Sequence, residues 1–301
     1  MTPSGGSLRA AAHAKVNVFL RVLGRRDDGY HEIESLLLPI SLADHVTVED
    51  GDELTVSLEG STAVGVPADD RNLVLRAAAA LAAEAGGPAR PGARITIEKH
   101  VPAAAGLGGG SADAAVALRL LNELWAIGAN REDLARIGLD VGSDVPGLLL
   151  GGPAFVRGRG EVVEPVLAQS TTWVAKTFSF GVSSADAYAW WDARAATGPD
   201  PGALIAAAEA GNDTLLGSAL FNDLQGPVAA RHPEIASTID AFVEAGARGA
   251  VMSGSGPSVV ALCSFATAQD VADAVPGSFV VDAPPEPSAP ARIDTDPSGV
   301  V

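Results

Sequence analysis

The sequence predicts an α+β protein of two domains, built from mixed sheets and helices. Three observations carry that reading. Stretches rich in Val, Phe and Leu with strand character and Ala/Leu-rich stretches of helical length both recur along the chain. At 301 residues it is long enough for one large domain or two of ordinary size. Gly151-Gly152-Pro153 then interrupts it near the middle. The expected division is residues 1–155, residues 156–281 and a disordered acidic, Pro-rich tail over 282–301.

Each element has a local reason. Residues 1–7 are small and polar and read as frayed. Residues 14–23 (AKVNVFLRVL) partly alternate, which predicts a strand. Residues 24–29 (GRRDDG) make a turn. Residues 33–42 are apolar, and 45–49 and 54–58 alternate as a hairpin-like pair. Asp69 and Asp70 precede an Ala/Leu helix over 73–85, as the helix dipole favours, and Gly86-Gly87-Pro88 ends it. Residues 94–99 form a strand, 101–111 a Gly-rich loop and 112–125 a helix. A short helix covers 131–137, and Gly142–Pro146 opens another. In the second half, residues 154–166 read as strand, turn and strand, and 173–178 as a strand. Helices are expected near 184–195, 203–210 and 233–245. Strands over 250–252 and 258–263 flank a Gly/Ser turn, and a last helix covers 266–274. From Asp282 onward Pro, Ser and Asp replace apolar periodicity, which predicts disorder.

Composition narrows the function. Lys and Arg total 20 against 37 Asp and Glu, a formal charge of −17. Nucleic-acid backbones and anionic bilayers reward clustered cations, so neither is an expected partner. A phosphorylated ligand must then be held by backbone amides and a few placed cations. With 47% hydrophobic and 19% charged residues the chain is not globally disordered. A single cysteine, Cys263, excludes an internal disulfide framework and a multi-Cys zinc site. The five histidines (His13, His31, His45, His100, His232) have no H-x-x-x-H spacing. No apolar run reaches the ~18–20 residues of a membrane span, and the N-terminus lacks a secretory apolar core. The cytoplasm is the expected location. Monomer and homodimer are both left open.

The strongest chemical signal is Pro102-Ala103-Ala104-Ala105-Gly106-Leu107-Gly108-Gly109-Gly110-Ser111. Its glycines allow a tight turn and close approach of an anion. It feeds a helix N-terminus, where unpaired N–H groups and the positive dipole end favour phosphate. It is neither a Walker A loop nor a dinucleotide fingerprint, because the Lys of the first and the distant acidic residue of the second are missing. The bland alternative is a linker or a tight helix–sheet contact. Lys15 and Asn17 share one face of the first strand. A lysine there is costly to bury unless it meets an anion, the alternative being an edge-strand lysine. Asp144, in Gly142-Ser143-Asp144-Val145-Pro146, is either a carboxylate serving an acceptor hydroxyl in phosphoryl transfer or a helix N-cap. Asp28-Gly29-Tyr30-His31 offers a ring and an imidazole to a heterocycle, or is a turn with two half-buried rings. Met252-Ser253-Gly254-Ser255-Gly256-Pro257-Ser258 is a second small-residue turn after a strand.

In this order the segments resemble the GHMP kinase superfamily. Ala14–Asn17 matches its Lys-bearing first strand, Pro102–Ser111 its P-x-x-x-G-L-G-x-x-S loop, and Met252–Ser258 its C-terminal Gly/Ser loop. Phe19-Leu20, Gly24-x-Arg26-x-Asp28-Gly29-Tyr30-His31-Glu32, Ile97-Glu98-Lys99 and Gly142-x-Asp144-Val145-Pro146 are similar to the branch that phosphorylates the 2-hydroxyl of a cytidylyl methylerythritol. The similarity covers residues 12–264. It implies the two-domain GHMP kinase fold with the active site in the cleft between domains, with ATP and Mg²⁺ as cofactors. It implies Lys15 and Asp144 as the catalytic pair, with Asp144 a base or an orienter of the hydroxyl. Asn17 would position the methylerythritol, and Tyr30 and His31 would hold the cytosine. Pro102, Gly106, Leu107, Gly108, Gly109, Gly110 and Ser111 would wrap the phosphates, with Ser111 touching Mg²⁺. Asn72 and Leu73 would lie near the adenine. Gly254, Ser255 and Gly256 would close over the methylerythritol or the diphosphate. The second ring on the cytosine is Tyr188 or Trp190. The chain departs from the family at His13, where members usually carry Pro, and Arg159 is given no base contact.

Overall fold

The computed structural model describes residues 7–84, 92–193, 196–284 and 291–293. Two long antiparallel strands, β1 (Ser7–Arg25) and β2 (His31–Gly51), meet at the Asp-Gly turn. Then come β3 (Leu54–Glu59), α1 (Leu73–Glu84), β4 (Gly92–Glu98), α2 (Gly109–Leu124), α3 (Arg131–Val141), α4 (Val145–Leu149), β5 (Ala154–Gly158) and β6 (Val162–Pro165). The second half holds β7 (Thr171–Lys176), α5 (Ser184–Asp192), α6 (Gly202–Ala210), α7 (Asp213–Ser218), β8 (Phe221–Asn222), α8 (Gln225–Ala229) and α9 (Pro233–Glu244). It closes with β9 (Gly249–Met252), β10 (Val259–Cys263), α10 (Ala268–Ala274), β11 (Ser278–Ala283) and β12 (Ala291–Ile293).

The first sheet runs β12-β1-β2-β4-β3, with β5 sharing an edge of β2 and β6 beside it. The second sheet, β11-β7-β10-β9, is antiparallel throughout. Three apolar layers hold these sheets. Helices α1 to α4 cover one face of the first sheet, against Val46, Val48, Ile95 and Ile97. Between the sheets, Val16, Val18, Leu38 and Ile40 meet Trp173, Ala175, Val260 and Leu262. Residues of α5, α8, α9 and α10 cover the far face of the second sheet. Along β1 this fixes direction: Ala14, Val16 and Val18 go into the layer between the sheets, so Lys15 and Asn17 turn to the other side.

Several expectations need correction. The hairpin-like pair does not form: β4 inserts between β2 and β3, antiparallel to the first and parallel to the second. β4 brings fully buried Ile95 and Ile97, whereas β3 exposes Thr55, Ser57 and Glu59, so the more polar strand takes the edge. Residues 33–42 and 45–49 are one strand, with Pro39 accommodated at a shift of register opposite Lys15. The start of α1 is capped by Asn72, whose Oδ1 accepts from Val74 N–H at 2.9 Å, not by the preceding acids. The boundary expected after residue 155 falls inside β5, because Ala154–Gly158 supplies the partner that Ile33–Leu37 of β2 needs. Asp282 and Ala283, expected in a disordered tail, end β11, and residues 291–293 pair with Ser7–Arg9 at the edge of β1. Ser7, the last of the seven residues expected to fray, is buried and starts β1; residues 1–6, the break at 86–88 and most of the tail lie outside the described residues. Among the described residues no helix is long and apolar enough to cross a membrane.

Ile97 is 1% exposed in the layer under α1 and α2. Ile97→Ala should lower unfolding stability by about 2–5 kcal/mol, read as a lower urea midpoint at unchanged slope.

Candidate active site

Lys15 is 4% exposed although it carries an ammonium. β1 pairs with β2 there, at Pro39, and the lysine is buried, so it is not the exposed lysine of a free edge. The ammonium finds a carboxylate, Asp144 Oδ2 at 3.2 Å. It also donates to Asn17 Oδ1 at 2.6 Å and to the Gly106 carbonyl at 3.4 Å. Asn17 is held in turn: its amide donates to Ser35 Oγ at 2.7 Å, and Ser35 Oγ to the Phe19 carbonyl at 2.7 Å. Asp144 sits at the N-cap position just before α4, yet its side chain makes no cap hydrogen bond and is 39% exposed. The carboxylate is turned toward Lys15, and the N-cap alternative fails.

The Gly-rich loop lies against this pair. Lys15 N–H donates to the Leu107 carbonyl at 2.9 Å. Gly108 has a φ of +68°, and a Cβ on it would meet the Lys15 stem at 2.8 Å. Gly106 has a φ of +78°, and a Cβ there would meet the Gly256 carbonyl at 2.6 Å. Both positions therefore require glycine. Helix α2 starts at Gly109, earlier than the sequence suggested, because Gly109, Gly110 and Ser111 already take helical geometry. Its first bond runs from Ala112 N–H to the Gly108 carbonyl. The amides of Gly109, Gly110 and Ser111 precede that ladder, which makes them anion donors.

The Gly/Ser turn between β9 and β10 closes over the loop. Ser253 Oγ accepts from Asn17 N–H at 3.1 Å and donates to the Gly106 carbonyl at 3.3 Å. Ser258 N–H and Oγ both reach the Ala105 carbonyl. Asn222 donates to the carbonyls of Met252 and Gly254 at 2.6 and 2.7 Å. A cavity of about 690 Å³ opens beside these groups. Its wall includes Lys15, Asn17, Gly106, Gly108, Ser111 and Asp144. Tyr30, His31, Tyr188 and Asp192 line it as well. His31 stacks on Tyr188 with centroids 4.6 Å apart, and its Nε2 is 2.7 Å from Asp192 Oδ1. The Arg159 guanidinium lies over the Tyr30 ring at 4.8 Å. Burial, and then the Asp144 charge, push the Tyr188 phenol above its ordinary range, so it stays neutral.

Beneath the loop is a buried ionic triad. Lys99 donates to Asp113 Oδ2 at 2.7 Å and to Asp44 Oδ2, with side chains 3%, 4% and 0% exposed. Asp44 Oδ1 accepts from His100 N–H and Val101 N–H at 2.5 and 2.8 Å, so β2 pins the start of the loop. Asp113 ties α2 to the same lysine. Burial pushes the Asp113 carboxyl up to about 7 against the pull of Lys99.

The chain matches the GHMP kinases N terminal domain over residues 72–152 and the GHMP kinases C terminal domain over 204–281. It is 44% identical over 269 residues to the 4-diphosphocytidyl-2-C-methyl-D-erythritol kinase of Salinispora arenicola, covering 87% of this chain and 85% of that one. With the enzyme of the same name from Symbiobacterium thermophilum it shares 46% over 254 residues, 82% of this chain and 88% of that one. A crystal structure of 4-(cytidine 5'-diphospho)-2C-methyl-D-erythritol kinase superposes with a TM-score of 0.75 at 33% identity, covering 91% and 98% of the two chains. The chain belongs to the 4-diphosphocytidyl-2-C-methyl-D-erythritol kinase family. It is a GHMP kinase, and ATP is its phosphoryl donor.

The fold brings most residues expected from that family to one cavity. Lys15, Asn17, Tyr30, His31, Gly106, Gly108, Ser111, Asp144, Tyr188, Gly254, Ser255 and Gly256 all line it. Trp190 does not: it packs under the Arg231 guanidinium at 4.4 Å, because two residues along α5 turn it away from Tyr188. Asn72 uses its amide on Pro67 O and Val74 N–H, so it shapes the start of α1 rather than facing the cavity. Leu73 lies against Gly110, at 3.6 Å from where its Cβ would be. Leu107 is 1% exposed in the layer between the sheets, Gly109 rests on Val101, and Pro102 lies outside the cavity wall. Ser35, Ser253, Asn222, Asp192 and the triad were not singled out as site residues. Only Lys99 carried a signal, as a lysine at the end of a strand in a lysine-poor chain.

A carboxyl whose pKa is raised by folding stabilises the fold below its ordinary 3.8, and that contribution is lost as pH rises through the folded value of about 7. Stability should therefore decline between about pH 4 and about pH 7. Asp113→Asn, which mimics the protonated form, should flatten that decline in urea melts; an identical slope would remove Asp113 as its source.

Proposed function

We propose that this chain transfers the γ-phosphoryl group of ATP to the 2-hydroxyl of 4-diphosphocytidyl-2-C-methyl-D-erythritol. The products are the 2-phosphate and ADP, in the methylerythritol phosphate route to isoprenoid precursors. The observation that carries the reading is a single cavity lined both by Lys15 and Asp144, 3.2 Å apart, and by the His31–Tyr188 stack. Such a cavity suits a substrate that carries both a reacting hydroxyl and a nucleobase.

In the proposed mechanism the triphosphate lies on the amides of Gly109, Gly110 and Ser111 at the start of α2. Asp144 accepts the hydrogen bond of the substrate hydroxyl and takes its proton as the new P–O bond forms. The bond from the γ-phosphorus to the bridging oxygen breaks, and ADP leaves. Lys15 offsets charge on the hydroxyl oxygen and the moving phosphoryl group. The transition state is loose, so positioning and charge stabilisation supply most of the rate. The donor set fits a hard cation. Ser111 Oγ would hold Mg²⁺ together with phosphate oxygens, and the bound ion supplies charge neutralisation at the β- and γ-phosphates. Asn17 and the Gly254–Gly256 turn position the methylerythritol. Tyr188 is the ring assigned to the cytosine, with His31 on its edge and Tyr30, backed by Arg159, at the rim. We assign the reaction to the cytoplasm.

An ADP-release assay with the cytidylyl substrate, homoserine and mevalonate tests the assignment: turnover is expected with the first alone. Asp144→Asn should lower kcat more than tenfold, ~1.4 kcal/mol or more in the barrier. A smaller loss removes Asp144 from the centre of the reaction. His31→Ala should raise KM for the cytidylyl substrate and leave that for ATP nearly unchanged, and equal effects on both would take His31 out of base recognition.

A further inference from the structure

Three of the five histidines gather on the first sheet, away from the cavity. His45 on β2 stands directly opposite Glu98 on β4. His100 follows Glu98 by two residues, and its Nε2 is 3.1 Å from Glu98 Oε1. The two imidazoles meet edge to face, with centroids 5.9 Å apart. His13 is the third, near enough to feel the charge of His45. We propose that His45, Glu98 and His100 form a binding site for a borderline divalent cation of the Zn²⁺ type.

The geometry fits. One ligand atom from each of the three residues lies within 4.8 Å of the others. Two ligands bonded at ~2.0–2.1 Å to one tetrahedral ion are ~3.3 Å apart, which the Glu98–His100 pair already approaches. The donor set fits as well. Two imidazoles and one carboxylate suit Zn²⁺ and its neighbours, whereas Mg²⁺ prefers oxygen alone. This sets the site apart from the Mg²⁺ of the phosphoryl transfer.

The surroundings are those of a ligand set. Arg9 donates to Glu98 Oε2 at 2.7 Å, which fixes the carboxylate and leaves Oε1 toward His100. Ligating carboxylates are commonly held this way from outside. His45 Nδ1 and His13 Nε2 are buried without a hydrogen-bond partner. Buried polar atoms are rarely left so, and a cation on the imidazole cluster gives His45 a role that hydrogen bonding does not. His13 Nδ1 is 3.0 Å from the Ile40 carbonyl, so His13 flanks the site without belonging to it.

The test uses the full chain without a polyhistidine tag, stripped with a chelator and dialysed against Zn²⁺. One Zn²⁺ per chain is expected, with affinity at least about tenfold weaker in His45→Ala and in His100→Ala. Co²⁺ in the same site should give the visible absorption of a four-coordinate ion. Phosphoryl transfer with Mg²⁺ and ATP should be the same in the stripped protein and in both variants. His100 is exposed, so His100→Ala keeps the test valid if His45→Ala fails to fold. Absence of saturable binding, or equal binding by wild type and His100→Ala, would overturn the proposal.

Discussion

A buried ammonium with one carboxylate partner is the constraint on which the site depends. Burying a charge is tolerable only where opposite charge and hydrogen-bond acceptors meet it. At Lys15 those groups come from four separate stretches of chain: Asn17 beside it, Gly106 on the loop, Asp144 before α4, and Ser253, which secures the Gly106 carbonyl from the far sheet. The lysine is carried by a strand that pairs with β2 and whose Ala14 and Val16 are packed between the sheets, so its position is set by the core and not by a loop. Gly108 has to lack a side chain because the lysine stem occupies that space. Strand, loop and turn are thus interlocked around a single cation.

The same arrangement explains how a chain of charge −17 can handle a polyphosphate. Its three lysines are divided. Lys15 faces the cavity, Lys99 is locked under the loop by two carboxylates, and Lys176 lies on β7 near Phe178. Positive potential at the site comes from Lys15, from Arg25 and Arg159 on the cavity wall, and from the open amides of α2. Lys99 neutralises the carboxylates that anchor both ends of the loop. The triad holds one cation against two acids; burial raises the pKa of Asp113, and the Asp44 charge adds to it against the pull of Lys99.

Much of this was legible in the sequence, for reasons that can be stated. Period-two alternation fixes which way a strand residue points, so Lys15 and Asn17 could be put on one face. Gly-rich turns and the helix that follows them carry local signatures, as the phosphate loop and the Gly/Ser turn did. What escaped depends on contacts distant in sequence. The order β2-β4-β3 follows from relative burial of strands that look alike in isolation. Asn222 and Asp192 are ordinary polar residues until the fold sets them beside Gly254 and His31. Tyr188 and Trp190, two apart on one helix, were separable only once the face of α5 was known. Histidines 45 and 100 had no metal spacing along the chain because their spacing is across a sheet.

β8 is only two residues long, yet it joins the halves of the molecule. Phe221 and Asn222 lie parallel to Phe19 and Leu20, and Asp223 N–H donates to the Leu20 carbonyl at 2.9 Å. A swing of one half away from the other would tear this stitch and the ties from Asn222 to the Gly/Ser turn. The lever arm of any such movement thus runs through two residues of β8, which fasten the Gly/Ser turn to the first sheet.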